Sequence, residues 1–161
     1  MDKSTLYLFD TNILLALHRG KQLGNYLNQT FRLSEVINRP LISVVTHGEI
    51  WAMAQRNNWG DKKCVAIKEM LDDLVTLDLN DPMIIENYVA VDQENLSHPK
   101  GARNISDNDK WIAATAIAAN ALLLTTDQDF LHLHPGVCRV QYVDAVSKLD
   151  PSQDGHGRGP E

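Results

Sequence analysis

Residues 6–15 constrain the fold of this chain more than any other stretch. An uninterrupted apolar run, residues 6–9, ends at Asp10, and Thr11 and Asn12 separate it from a second apolar run. A continuously apolar run of this length is typical of a central parallel strand covered on both faces, and the two polar residues favour a helix directly after it. The pattern predicts a buried strand that places Asp10 at its carboxyl end, where ligands bind in open α/β sheets. A carboxylate in this position can also be a simple turn or helix cap.

Strand and helix patterns alternate along the rest of the chain. Helical patterns separate five predicted strands, at residues 6–9, 41–45, 75–79, 122–125 and 138–143, and an alanine-rich helix is predicted over 111–121. Alternation of this kind predicts an α/β fold, a three-layer α/β/α sandwich with a mostly parallel sheet of about five strands.

The length and composition indicate one domain. The 161 residues are 43% hydrophobic, which is enough for one core. We predict a single domain over residues 1–147 and a disordered C-terminal tail over 148–161, where little can be buried. Cys64 and Cys138 lack metal-ligand spacing, and no segment reads as a signal or a membrane span, so a reduced cytoplasmic protein is expected.

The formal net charge is −6, which excludes the overall positive field of non-specific nucleic-acid binders. A negative net charge is compatible with carboxylates clustered in a metal site, because bound cations reverse the local electrostatic potential.

Four carboxylates are predicted to meet at one edge of the sheet. Asp10 ends the first strand, Glu49 opens the helix after the second, Asp109 opens the helix before the fourth, and Asp127 follows the fourth. Gathered there, the acids would repel one another unless protons or cations compensated them. Oxygen ligands of this kind suit Mg²⁺ or Mn²⁺, which can activate water for phosphodiester hydrolysis.

Each acid also has a purely structural interpretation. Glu49 can form a capping box with Thr46, and Asp109 can form one with Ser106. Asp127 can cap a short helix. An aspartyl phosphatase is a further alternative for the first motif, but Asn12 stands where such sites need a second acid.

Four motifs carry these acids, at residues 8–12, 46–51, 109–116 and 124–130. In order and spacing the set resembles the PIN-domain nucleases, most closely the VapC-type toxins of bacterial type II toxin–antitoxin pairs. The resemblance implies a metal-dependent endoribonuclease that usually acts on single strands. It matches Asp10, Glu49 and Asp109 to the three most constant acids of the family and Asp127 to the more variable fourth.

The resemblance leaves several points open. Thr11 and Asn12 match positions beside the first acid, and Asp107 or Asp129 could replace Asp109 or Asp127.

The implied partners are an RNA substrate and a cognate antitoxin that blocks the acidic site. A homodimer is also expected if apolar residues such as Trp59 are exposed. Lys100 and Arg103, in a longer region at 92–104, are candidate phosphate contacts. The alternatives are a degenerate PIN-like module that binds RNA or protein without cutting, and a PIN nuclease that acts on DNA.

Overall fold

The computed structural model of the chain describes residues 4–35, 37–99 and 105–145. The strands are β1 (Tyr7–Phe9), β2 (Leu41–Ser43), β3 (Val75–Leu77), β4 (Leu122–Thr125) and β5 (Val140–Tyr142). The α-helices are α1 (Thr11–Arg19), α2 (Gln22–Phe31), α3 (Val44–Arg56), α4 (Asp61–Asp72), α5 (Pro82–Ser97) and α6 (Asp107–Ala118). Short 3₁₀ helices span Leu33–Glu35 and Gln128–Leu133. The predicted tail at 148–161, Lys100 and Arg103 lie outside the described residues.

The five strands form one sheet in the order β3-β2-β1-β4-β5, and every strand pair is parallel. This confirms the predicted α/β class. Because β2, β1 and β4 are neighbours, their carboxyl ends lie side by side at one edge of the sheet, and that is where the predicted acids were expected to meet.

Helices cover both faces of the sheet. Side chains alternate between the faces of a strand, so Tyr7 and Phe9 pack into a core that also contains Leu14 and Ile67, whereas Leu8 packs into a second core. Three alanines of α6 are fully buried in or beside that second core, which lets the helix lie close to the sheet: Ala113, Ala114 and Ala116. The three-layer prediction is confirmed.

The start of α3 differs from the prediction. The strand ends at Ser43, and α3 begins at Val44 with Ser43 as its N-cap, since the Ser43 hydroxyl accepts a hydrogen bond from the Val45 amide at 3.3 Å. The β-branched Val44 and Val45 suggested a longer strand, but this cap starts the helix two residues earlier. The predicted capping box of Thr46 with Glu49 is therefore wrong, and Thr46 is buried within the helix.

The alanine-rich helix is also shifted. It begins at Asp107 with the predicted capping box of Ser106 and Asp109, and ends at Ala118 rather than at residue 121. The early end coincides with Asn120, whose φ of 50° is left-handed and incompatible with a continuing helix. The third and fifth strands are shorter than predicted.

The expected exposure of Trp59 is wrong. The indole is half-buried against the core that contains Tyr7 and Phe9, and the Lys63 ammonium lies 3.6 Å from its ring centroid. The feature that suggested a homodimer is thus part of the monomer's packing. None of the helices in the described part of the chain is long and apolar enough to cross a membrane.

Gly24 lets α2 approach α1 closely. A Cβ at Gly24 would lie 2.6 Å from the Ala16 carbonyl oxygen, whereas a Cβ at Gly48, within α3, would meet nothing within 4 Å. Both Gly→Ala changes gain about 1 kcal/mol of helix propensity, but overpacking at Gly24 costs about 1–3 kcal/mol. We expect urea unfolding to show a net loss of about 1 kcal/mol for Gly24→Ala and a gain for Gly48→Ala. Equal gains for both variants would contradict the close approach.

Candidate functional site

A cleft of about 290 Å³ opens at the carboxyl edge of the sheet. It is bounded by the starts of α1 and α6 and by one side of α3. Three of the four predicted acids line it, together with polar, small and basic residues: Asp10, Thr11, Asn12, Gly48, Glu49, Ala52, Met53, Arg56, Asn108 and Asp109. Residues almost 100 positions apart in the sequence therefore meet around one cavity.

Asp10 forms the buried end of the cleft and is only 3% exposed. One carboxylate oxygen accepts a hydrogen bond from the Thr11 amide, and the other accepts one from the Thr125 hydroxyl, both at 2.7 Å. The pKa of Asp10 is raised to about 7, chiefly by burial and in smaller part by the Asp109 and Glu49 carboxylates, against the opposing effect of the two hydrogen bonds. Asp10 is also the N-cap of α1, so its structural interpretation is correct as well.

Glu49 is held from two sides. Its Oε2 accepts a short hydrogen bond from the Thr11 hydroxyl, and its Oε1 accepts one from the Asn108 amide group at 3.0 Å. Thr11 follows β1 and Asn108 lies in the first turn of α6, so the two bonds connect α3 to elements on either side of the cleft. The carboxylate is fixed in orientation near the wall that carries Asp10.

Asp109 is fixed by its own helix start. Its Oδ2 accepts hydrogen bonds from the Ser106 amide at 3.0 Å and the Ser106 hydroxyl at 2.6 Å. Burial raises the pKa of Asp109, and the Asp127 and Glu49 carboxylates raise it further, while the bonds from Ser106 lower it. Asp109 thus both caps the start of α6 and lines the cleft.

Asp127 is close enough to Asp109 to raise its pKa, but it is not among the residues that line the cleft. It caps the 3₁₀ helix Gln128–Leu133, with Oδ1 accepting from the Asp129 amide at 2.8 Å. The Asp127 amide donates to the Thr125 hydroxyl at 2.9 Å, and that hydroxyl donates to Asp10. Asp127 therefore acts on the other acids through its charge near Asp109 and through Thr125.

Neither alternative acid lines the cleft among the residues that the structure describes. Asp107 forms an ion pair with Lys110 at 3.1 Å and accepts a hydrogen bond from the Tyr88 hydroxyl at 3.2 Å. The hydrogen bond from Lys110 holds the pKa of Asp107 below its usual range. Asp107 thus serves the contact of α6 with α5, whereas Asp109 faces the cleft.

Three residues in or beside the cleft were not predicted from the sequence. Thr125 bonds Asp10, Asn108 bonds Glu49, and Arg56 lines the cavity. Asn108 directly precedes Asp109 at the start of α6. Arg56 follows Glu49 by seven residues, which places these two side chains on the same side of α3. These spacings are signals that a sequence reader could use.

The side chains of the cleft that could bind a metal ion are carboxylates. Arg56 lines the same cavity, but within the described ranges no lysine or arginine forms an ion pair with any of the four acids, and no three acidic, histidine or cysteine side chains are arranged to hold a metal ion. Mg²⁺ needs no such trio, since it usually takes one or two carboxylates and keeps several waters. A pair of carboxylates among Asp10, Glu49 and Asp109 fits this mode of binding, because an ion would offset their mutual repulsion.

Several solved structures share this fold. VapBC2 of Rickettsia felis, bound to a DNA fragment from its promoter, is 22% identical, with a TM-score of 0.67, covering 86% of this chain and 98% of that chain. VapBC-1 of nontypeable Haemophilus influenzae is 23% identical, with a TM-score of 0.68 and the same coverage. VapBC-5 of Mycobacterium tuberculosis, from a family of toxin–antitoxin systems, is 22% identical, with a TM-score of 0.61 and the same coverage. At these identities the similarity establishes the fold alone.

Sequence comparison identifies the family. No curated protein matches the chain significantly. The family model described as PIN domain matches residues 7–134, which include β1, the cleft and all four predicted acids. The match spans most of the chain and agrees with the parallel sheet and its acidic edge. The chain therefore belongs to the PIN domain family.

Proposed function

We propose that this chain is a divalent-metal-dependent endoribonuclease and the toxin of a toxin–antitoxin pair. The observation that carries the proposal is the convergence of Asp10, Glu49 and Asp109 in one open cleft, at the sheet edge where ligands bind in α/β folds. Capping alone would not require three carboxylates to share a cavity where none of them has an ion-pair partner among the described residues, because their mutual repulsion costs stability.

The side chains of the cleft have distinct roles in this proposal. Carboxylates among Asp10, Glu49 and Asp109 would hold Mg²⁺ or Mn²⁺, and Asp127 would add negative charge near Asp109. When bound, such an ion supplies Lewis-acid activation of water and stabilises charge on the phosphodiester. Thr11 and Asn108 orient the two oxygens of Glu49, and Thr125 orients Asp10. Preorientation of this kind reduces the reorganisation needed when the substrate reacts.

The proposed partners follow from the shape of the site and from its structural relatives. The cleft is open and lined by polar groups, which suits an extended strand better than an enclosed small molecule. Proteins with the same fold include a toxin–antitoxin complex from Klebsiella pneumoniae and VapBC-5, a member of a family of toxin–antitoxin systems. We infer that an antitoxin covers the cleft of this chain, and that the protein acts in the cytoplasm, where its RNA substrates are.

Cleavage of labelled single-stranded RNA and DNA of matched sequence tests the proposal. We expect the purified protein to cut RNA with Mg²⁺ or Mn²⁺ and to leave DNA intact. EDTA should stop the reaction, and Asp10→Asn should lower the rate by at least about 100-fold, as expected when a group that stabilises the transition state is lost.

Three results would contradict different parts of the proposal. Cleavage in EDTA, or full activity of Asp10→Asn, would refute the metal-dependent mechanism. Cleavage of DNA instead of RNA would show that the substrate of the nuclease is DNA. Absence of cleavage on all substrates, together with RNA binding, would indicate a non-cutting PIN module.

A further inference from the structure

Arg56 is the only basic side chain that lines the acidic cleft in residues 4–35, 37–99 and 105–145. It lies in the last turn of α3 and is exposed. No carboxylate of these ranges forms an ion pair with it. Its guanidinium group is therefore available to a ligand in the cleft.

The position of Arg56 relative to the acids follows from helix geometry. Glu49 and Arg56 are seven residues apart in α3, which is two turns along one face and about 10 Å along the axis. Ala52 and Met53 line the cleft between them. Side chains of an α-helix lean toward its N-terminus, so the Arg56 side chain leans toward Glu49, and both residues line the same cavity. A strand that places a phosphodiester at the acids can therefore place one of its phosphates against Arg56.

The space between the two ends of the cleft is open. Gly48, next to Glu49, and Ala52, between Glu49 and Arg56, are small and exposed, and a Cβ built at Gly48 would meet nothing within 4 Å. Bulky side chains at these two positions would narrow the cleft beside Glu49.

The charge of Arg56 complements a nucleic acid in a cleft that otherwise disfavours one. Carboxylates repel phosphates, and the chain has a net charge of −6, so the protein as a whole does not attract RNA. A guanidinium group binds phosphate oxygens in a bidentate manner. One such contact outside the acidic end would fix the strand's register, as phosphate contacts do in nucleic-acid complexes.

We infer that Arg56 is a substrate-binding residue that contacts a phosphate of the RNA strand in the cleft. The inference rests on the proposed ribonuclease function and adds to it a second contact point on α3. It assigns Arg56 to binding, because a guanidinium group stays protonated and only donates hydrogen bonds.

Arg19 provides a matched control. It is exposed in the last turn of α1, as Arg56 is in the last turn of α3, but it does not line the acidic cleft. Loss of either arginine removes one positive charge and one favourable interaction with a helix dipole. A difference in RNA affinity between the two variants therefore reflects the position of Arg56 in the cleft and not the loss of one positive charge.

The test is RNA binding by Arg56→Gln and Arg19→Gln, each in the Asp10→Asn background with Mg²⁺, measured by fluorescence anisotropy at several salt concentrations. For Arg56→Gln we expect Kd to increase about fivefold, and the slope of log Kd against log salt to fall by about 0.7, the value for one single-strand phosphate contact. Arg56→Lys should retain the slope and recover part of the affinity. In the background with intact Asp10, Arg56→Gln should raise KM by a larger factor than it lowers kcat.

Equal affinity and salt dependence for Arg56→Gln and Arg19→Gln would overturn the inference, as would a loss of kcat without a change in KM. The failure of this inference is distinct from that of the proposed function. If the wild-type protein cuts RNA and Arg56→Gln keeps its KM, only the role of Arg56 is wrong. If wild type cuts nothing, the nuclease proposal fails, and the anisotropy result still decides whether Arg56 contacts RNA.

Discussion

Asp10→Asn is expected to make the metal-free protein more stable at pH 8, while it removes activity. The buried carboxylate has a pKa of about 7 in the folded chain, against 3.8 for an unperturbed aspartate. A difference of this size corresponds to a folding penalty of up to about 4 kcal/mol when Asp10 is ionised. Asparagine is uncharged, keeps an acceptor for the Thr11 amide and can donate to the Thr125 hydroxyl.

The pH dependence gives this prediction its sign. Between pH 4 and pH 7 the folded wild-type chain binds more protons at Asp10 than the unfolded chain, so its free energy of unfolding falls as the pH rises through this window. The free energy of unfolding of Asp10→Asn should not show this decrease with pH. In EDTA, urea unfolding should show the advantage of the variant growing by about 3 kcal/mol between pH 5 and pH 8.

Mn²⁺ should act in the opposite direction. An ion that binds only the folded protein stabilises it by about 2.7 kcal/mol at 100 times Kd. Wild type should gain this stability at pH 8, whereas Asp10→Asn should gain little.

Asp107→Asn serves as a control for the Asp10 experiment, because its change in stability at pH 8 should have the opposite sign. The pKa of Asp107 is lowered by its hydrogen bond from Lys110, so ionisation of Asp107 stabilises the fold above its unfolded pKa. This variant should be slightly less stable than wild type at pH 8. A stability gain for both variants, or for neither, would show that burial of Asp10 does not raise its pKa.

Lys110→Met is the second substitution with a large expected effect. The Lys110 ammonium lies 2.9 Å from an Asp92 oxygen in α5 and 3.1 Å from Asp107 in its own helix, and its side chain is only 13% exposed. The hydrogen bonds to Asp92 and Asp107 hold the pKa of Lys110 well above its usual range. Methionine fills much of the same space but leaves Asp92, whose side chain is 32% exposed, without its cation.

The expected cost of Lys110→Met is about 2 kcal/mol, between the values typical of surface and of buried ion pairs. Lys68→Met is the matched control, because Lys68 pairs with Asp72 at 2.6 Å on an exposed helix face, with side chains 67% and 62% exposed. That variant should lose less than about 0.5 kcal/mol. Urea unfolding in 0.1 M and 1 M salt would compare them, and equal losses would refute a special role for Lys110.

Much of this fold was predictable because the apolar patterns agree with the packing. The apolar run before Asp10 becomes the central strand, with Leu8 facing one core while Tyr7 and Phe9 face the other. Since β1 is paired on both sides, its carboxyl end lies among those of its neighbours. Alternation predicted the parallel sheet without its strand order, and the observed order brings Asp10, Glu49 and Asp109 to one cleft, whereas the fourth predicted acid, Asp127, does not line it.

The boundaries and supporting contacts were less predictable. The start of α3 depends on a single hydroxyl, Ser43, which outweighs the strand preference of two valines. The contact of Asn108 with Glu49 joins residues 59 positions apart, and no local pattern specifies such a pair. Trp59 illustrates the same limit, because an aromatic residue in a polar turn shows no sign of the core that it packs against.

The bond between Thr125 and Asp10 joins residues 115 positions apart, across the sheet from β4 to β1. During synthesis Asp10 is made before its hydroxyl partner, which follows only after the six helices α1 to α6. A nascent chain that has not yet inserted β4 beside β1 lacks the hydrogen bond that orients Asp10. For an enzyme proposed to cut RNA, this order of emergence delays completion of the cleft until β4 has been made and paired.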